Sequence, residues 1–303
     1  MPTDAQKTEE NVSHSVIRVS GTPPWHEHWL DLAGGRMRYL QAGSGRPLIL
    51  LHGLMGYSFS WRFTIPALAP HATVYAIDDL GAGLSIAPDG MDCSMRAAAE
   101  RVLQFVNTLG ITDFDLLGTS HGGAVAIMTA VICAETRDTR LKRLVLVAPV
   151  NPWSRPGRRL APFVGGPFGS FLFRKTVERW RFLDYLWLRR IFGDASKIPL
   201  DSLEGYRLPV RQNRALTHGS SIVRTWTADL AALEKALPTI RDIPTLLMWG
   251  TRDRAVSYRS AEPLRRNFND CRLVTFKGVG HLPYEEAPEE FNRVLIEFLQ
   301  AIC

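Results

Sequence analysis

The sequence predicts an α/β protein: a mostly parallel central sheet, flanked by helices and interrupted by an inserted run of helices. Three observations carry this. Six short apolar runs recur along the chain, most of them stopped by Gly, His or Asp. Helical patterns separate several of these runs, and strands that alternate with helices indicate a parallel sheet. One stretch, 151–240, breaks the alternation with a helical pattern and no strand-like period.

The elements follow in order. HWLDLAGGRMRYLQAG (28–43) reads as a β-hairpin, two alternating runs around Gly34 and Gly35. PLILLHG (47–53), TVYAIDDLGAG (73–83), FDLLGTSHGG (114–123), LKRLVLVAPV (141–150), IPTLLMWGTRD (243–253) and CRLVTFKGVGH (271–281) are the apolar runs. Such continuity suggests burial on both faces. MRAAAERVLQFVNTLG (95–110) has helical spacing and a Gly stop. GGAVAIMTAVICAET (122–136) is apolar all round, as a buried helix is. PEEFNRVLIEFLQA (288–301) opens with Pro and two Glu, a favourable helix start.

The domain organisation expected is a loose leader over 1–24, a core formed by 25–150 with 241–303, and a helical cap over 151–240. The cap carries fifteen Lys and Arg against seven Asp and Glu, a net charge of +8, so the rest of the chain sums to −2. The positive excess sits wholly in one segment. That segment has no recognised nucleic-acid motif and apolar residues interrupt its charges, so no nucleic-acid partner is expected. A small molecule is the expected partner, and a homo-oligomer is compatible with the sequence.

Composition excludes several classes. With 303 residues, 46% hydrophobic and 22% charged, the chain buries a sizeable core without staples and is neither disordered, collagenous nor a coiled coil. Four scattered cysteines, Cys93, Cys133, Cys271 and Cys303, suit free thiols in a reducing compartment, not a disulfide framework or a zinc site. The N-terminal segment lacks the pattern of a signal peptide, and no run of about 18 apolar residues occurs. No membrane span and a cytoplasmic location are the expectation. No cofactor or metal is expected.

The strongest chemical signal is Gly118-Thr119-Ser120-His121-Gly122, followed by Gly123, between a strand and a helix. That is the setting of a G-x-S-x-G nucleophile elbow. The serine stands on a sharp turn at a helix N-terminus, where a developing anion is favoured. A hydroxyl needs a base. His281, in a glycine-rich loop after the last apolar run, is the candidate, and His218 in the cap is the next. Asp253 ends the run before it and would orient the imidazole; Asp242 lies at the opposite end of that strand. Leu51-His52-Gly53-Leu54 ends the first core strand in a bend, so the backbone N–H groups of Leu54 and His121 are the candidate oxyanion donors. In the cap, Trp153, Phe171, Trp180, Phe182 and Trp187 are candidates to line an acyl or aromatic slot, although helical aromatic stripes are more often core.

On these motifs the chain resembles the α/β-hydrolase superfamily from about residue 28 to its end. Five features match in order: His52-Gly53, the turn 79–85 (similar to the family's D-x-x-G-x-G-x-S turn), the elbow at Ser120, Asp253 and His281. The order Ser120, Asp253, His281 is that of the family's triad. The resemblance implies a capped serine hydrolase of esterase-like or carbon–carbon hydrolase-like type, with the 79–85 turn structural. Haloalkane dehalogenases and epoxide hydrolases of this fold carry Asp at the nucleophile position, which disfavours those activities here. The Ser-His-Gly-Gly elbow is also similar to that of cofactor-free dioxygenases, whose acid follows the preceding strand, where this chain has Asn151. A non-enzymatic ligand receptor on the same fold is the remaining alternative.

Overall fold

The computed structural model describes residues 24–154, 161–179, 182–211 and 214–301. Nearly all of the expected leader, and Trp180, lie outside the described residues. Eight strands form one sheet: β1 (His26–Leu32), β2 (Gly35–Ala42), β3 (Pro47–Leu51), β4 (Thr73–Ile77), β5 (Phe114–Thr119), β6 (Leu141–Val147), β7 (Thr245–Gly250) and β8 (Cys271–Phe276). Their order across the sheet is β1-β2-β4-β3-β5-β6-β7-β8. The hairpin pairs antiparallel, with Leu32 opposite Gly35, and β2 pairs antiparallel with β4. Every other pairing is parallel.

The helices are α1 (Ile65–Leu68), α2 (Met95–Thr108), α3 (Ser120–Thr136), α4 (Ala161–Gly165), α5 (Pro167–Arg179), α6 (Phe182–Ile191), α7 (Ser202–Arg211), α8 (Arg214–Ala236), α9 (Ala261–Arg265), α10 (Pro283–Glu286) and α11 (Pro288–Gln300). Ser94 caps α2 by accepting the Ala97 N–H at 3.3 Å. α3 begins at Ser120 itself, two residues before the expected start. The reason is that the elbow turns directly into the first helical turn. The helices α4 to α8 occupy the stretch between β6 and β7, with no strand among its described residues.

Successive core residues point to opposite faces, and both faces are dry. Ile49, Leu51, Leu116, Leu144, Leu146, Leu247 and Trp249 share one core with α2, α3 and α8. Leu48, Leu50, Leu117, Val145, Val147, Leu246 and Met248 share the other with α1, α10 and α11. This explains why the strands read as continuous apolar runs and not as alternation.

The strand order also places the site. From β3 the chain steps outward to β4, then crosses back through α2 to β5 on the other side of β3. That reversal opens a crevice beyond the carboxyl ends of β3 and β5, where ligands of open α/β sheets bind. Leu51 and Gly118 are partners there. At the opposite end of the sheet, Arg143 of β6 grips Asp115 of β5 through two hydrogen bonds of 3.0 and 2.7 Å, both side chains being buried.

Removing one member of a buried pair leaves an uncompensated charge. Arg143→Met is expected to cost about 3–5 kcal/mol, and Arg143→Met/Asp115→Leu to recover most of that loss in urea denaturation. A double variant no more stable than the single one would contradict the assignment.

Candidate active site

Ser120 is held in a left-handed backbone conformation, with φ of 53°. Few non-glycine residues adopt it, and such strain collects at functional positions. The neighbouring glycines are required by space. A Cβ on Gly118 would lie 2.2 Å from the Gly122 carbonyl oxygen, and one on Gly122 would lie 2.3 Å from that of His52. β3, β5 and α3 therefore meet at closer range than any side chain permits.

His52 fixes the bend at the end of β3. Its Nε2 accepts the Asp79 N–H at 3.1 Å, so the ring proton is on Nδ1, which donates to the Gly53 carbonyl at 2.9 Å. Gly56 closes the bend by donating to the same carbonyl at 3.0 Å. Leu54 within this bend, and His121 after the nucleophile, both line the cavity that Ser120 faces.

Asp253 and His281 come together at the carboxyl edge of the sheet. Asp253 Oδ2 lies 2.7 Å from His281 Nδ1, and its Oδ1 accepts the N–H groups of Ala255 and Val256 at 2.8 and 2.9 Å. The carboxylate only accepts, so Nδ1 carries the ring proton and Nε2 is left as the basic nitrogen. Both side chains are buried. The two loops are tied by backbone as well: Arg252 N–H donates to Val279 and Thr251 N–H to Phe276.

His281 and Ser120 line one open cavity of about 490 Å³, whose wall is mostly apolar. Val164, Trp187, Ile191, Tyr206, Val223 and Trp226, from helices between β6 and β7, also line it. Of the aromatic residues expected there, Trp187 lines it. Trp153 instead packs against one of the two core clusters, and Phe171 faces outward. Helical spacing does not tell which face of an inserted helix turns inward. The side chain of Phe182 lies outside the described residues. Trp226 and Tyr206 were not singled out by the sequence.

Two glutamates after the base also carry no distinguishing sequence signal, since acidic residues near a proline suit any helix start. Glu286 accepts N–H groups from Gly193, Asp194 and Gly280 at 2.9, 2.8 and 2.7 Å, so one carboxylate pins the His281 loop to the end of α6. Glu285 is held by Arg62 at 3.0 Å, by Ser202 at 3.1 Å and by the Tyr206 hydroxyl. Burial, and then the Glu285 charge, hold the Tyr206 hydroxyl well above its ordinary range.

The 79–85 turn is organised from the residue that precedes it. The carboxylate that organises it is Asp78, which accepts Ser58 and Leu84 N–H groups at 2.7 and 3.2 Å and pairs with Arg38 at 3.0 Å. Asp79 instead faces a small side chamber of about 30 Å³, lined also by His52, His121 and His218. Burial disfavours the Asp79 carboxylate, but its two-point pair with Arg101 outweighs that and holds it below its ordinary range. His218, the second candidate base, lines this chamber and does not line the Ser120 cavity. Asn151 is fully engaged with Pro149, Ser260 and Trp153. Arg101, His52 and Asp78 act on the site's shape without touching the cavity of Ser120.

Among the described residues no group of three or more His, Cys, Asp or Glu is fit to hold a metal, and no helix is long and apolar enough to cross a membrane.

Residues 48–294 match the model of the alpha/beta hydrolase family. The chain is similar to haloalkane dehalogenase 2 of Mycobacterium tuberculosis (strain ATCC 25618 / H37Rv), 29% identical over 287 residues, covering 90% of this chain and 95% of the relative. It is similar also to the 2-hydroxy-6-oxo-6-(2'-aminophenyl)hexa-2,4-dienoic acid hydrolase of Metapseudomonas resinovorans, 26% identical and covering 90% of each chain. Among solved structures it resembles the epoxide hydrolase CorEH, with a TM-score of 0.74, 25% identity, and coverage of 90% of this chain and 98% of the other.

The chamber histidines give a pH signature. Burial pushes the imidazoles of His121 and His218 from their ordinary 6.5 down to about 4, with the neighbouring His218 adding to the effect on His121. Between those values the unfolded chain binds protons on these rings and the folded chain does not, so stability rises with pH. Lowering the pH from about 6.5 toward 4 is therefore expected to destabilise the fold. His218→Gln should make the denaturation midpoint less sensitive across that window, by up to about one proton. An unchanged slope would contradict a neutral, buried His218.

Proposed function

Because the chain belongs to the alpha/beta hydrolase family, we propose that it is a serine hydrolase cleaving a carboxylic ester or related acyl bond of a small, partly apolar substrate. One observation carries this reading. A strained Ser120 lines the same cavity as His281, and the Nδ1 of His281 is engaged by the buried Asp253.

In this reading Ser120 Oγ attacks the acyl carbonyl while His281 Nε2 takes its proton. Asp253 keeps the imidazole oriented and stabilises the imidazolium that forms. The N–H groups of Leu54 and His121 meet the oxyanion, each donor contributing about 3 kcal/mol, and the N-terminus of α3 adds its dipole. His281 returns the proton to the leaving alcohol. Water, activated by the same base, then releases the acyl group. Residues 151–240 act as the cap, whose Trp187, Ile191, Val223 and Trp226 supply an apolar wall for the acyl part.

The similarity to haloalkane dehalogenase 2 does not carry that activity over, since the position expected to hold Asp in such enzymes holds Ser120 here. A carbon–carbon hydrolase acting on a vinylogous diketone acid is the second reading. It is favoured by the relative described as a dienoic acid hydrolase and by the basic cap, which suits an anionic substrate. A panel of p-nitrophenyl esters, thioesters, lactones and a dienoate diketone acid separates the two by which compounds the wild-type chain turns over.

Ser120→Ala is expected to lower turnover at least about 10⁴-fold while leaving the thermal midpoint within about a degree or above it. An unchanged rate would sink the assignment. Asp253→Asn is expected to lose about 10⁴-fold through the wrong imidazole tautomer, measured as kcat on the best ester of the panel. A kcat within tenfold of wild type would exclude the orienting role.

A further inference from the structure

Large apolar side chains that face solvent are concentrated on the inserted helices. Phe163, Phe168, Phe171, Leu172, Tyr185, Leu186 and Trp187 are each close to half exposed or more, and Phe168 is 72% exposed. Among the described side chains of α5, Phe168, Phe171, Leu172, Lys175, Thr176 and Arg179 are exposed, and these positions share one helix face. That face is apolar over its first turns and basic over its last. On α6, Tyr185, Leu186, Trp187, Arg189 and Arg190 are exposed, while Leu188 and Ile191 anchor the helix in the core. A surface of this kind marks an interaction site.

Both patches adjoin the Ser120 cavity. Val164 of α4 and Trp187 of α6 line it, and Phe163 beside Val164 makes an edge contact with Phe168. The same segment, 151–240, holds the +8 charge of a chain whose remainder is −2. Such a distribution orients a molecule insert-first toward a negative surface.

We propose that the outer face of α5 and α6 docks on an anionic lipid surface, with the aromatic and leucine side chains entering the interface and the arginines meeting the headgroups. A helix face that joins Phe and Leu to Lys and Arg fits such an interface. A nucleic acid would use the charge but leave Phe168, Phe171 and Leu172 in water. A second copy of this chain, meeting face to face, would bring Lys175, Arg179, Arg189 and Arg190 against their own copies. With Ser120 acting as proposed above, a membrane-held amphiphilic ester is the substrate class with the shortest path to it. That last clause rests on the hydrolase reading, and the docking does not.

The test uses the full chain as Ser120→Ala, so that binding is read apart from chemistry. It is sedimented with vesicles of phosphatidylcholine alone or with about one-third phosphatidylglycerol. Binding to the anionic vesicles at low salt, weakened as salt rises, is expected. Phe168→Ser/Phe171→Ser/Leu172→Ser should reduce the vesicle-bound fraction at least about tenfold. Arg179→Glu/Arg190→Glu should reduce it on anionic vesicles. With Ser120 restored, the triple variant should keep wild-type turnover of a soluble short-chain ester and lose the gain on a long-chain ester carried in anionic vesicles. No sedimentation of wild-type surface at low salt would overturn the docking. So would full binding by the triple variant, a dimer that the triple variant abolishes without any vesicle binding, or capture by an oligonucleotide that the apolar substitutions leave unchanged. Docking without any Ser120-dependent turnover would sink the hydrolase reading alone.

Discussion

The contact between Asp253 and His281 joins two loops that the chain makes separately, and the geometry around it leaves little freedom. One carboxylate oxygen is occupied by the Ala255 and Val256 N–H groups, and the other faces His281 Nδ1 at 2.7 Å. A carboxylate so engaged can only accept at its other oxygen, and the imidazole must supply the proton to it. The tautomer follows, and with it the availability of Nε2. Glu286 restrains the same loop from the other side by collecting three N–H groups, one of them from Gly280 beside the base. The imidazole is thus positioned by two carboxylates, one on the ring and one on the backbone.

The parallel arrangement of the sheet makes this possible. β5 and β3 deliver Ser120 and Leu54 at the point where strand order reverses, and β7 and β8 deliver Asp253 and His281 at the same edge. Four parallel strands ending together bring side chains from distant sequence positions to one crevice without any long loop. The backbone strain at Ser120 is carried by its surroundings: the strand before it and the helix after it are buried along nearly their whole length.

Much of this was legible before the fold was known, because strands buried on both faces leave an unbroken apolar signature. Those runs end at the candidate site, so Ser120, Asp253 and His281 each stood out as a polar residue at the close of a run. In the insert, Trp187 was legible as a lining residue, but others were not. Tyr206 and Trp226 lie on helices whose inward face depends on packing against the sheet, and a 3.6-residue period does not say which stripe meets it. Phe171 failed for the same reason, turning outward where an inward slot was expected. Asp78 and Asp79 are adjacent and alike in sequence, yet one organises a turn and the other faces a chamber of histidines. Only their opposite directions from the strand end separate them.

The central claim is that Ser120 is made nucleophilic by His281 within this crevice. Reaction with a fluorophosphonate probe, followed by peptide mass spectrometry, tests it most directly. The account expects a single stoichiometric adduct on Ser120 in the wild-type chain, and labelling slowed by orders of magnitude in a folded His281→Gln variant. An adduct on another residue, or labelling of Ser120 at the wild-type rate without the imidazole, would contradict it.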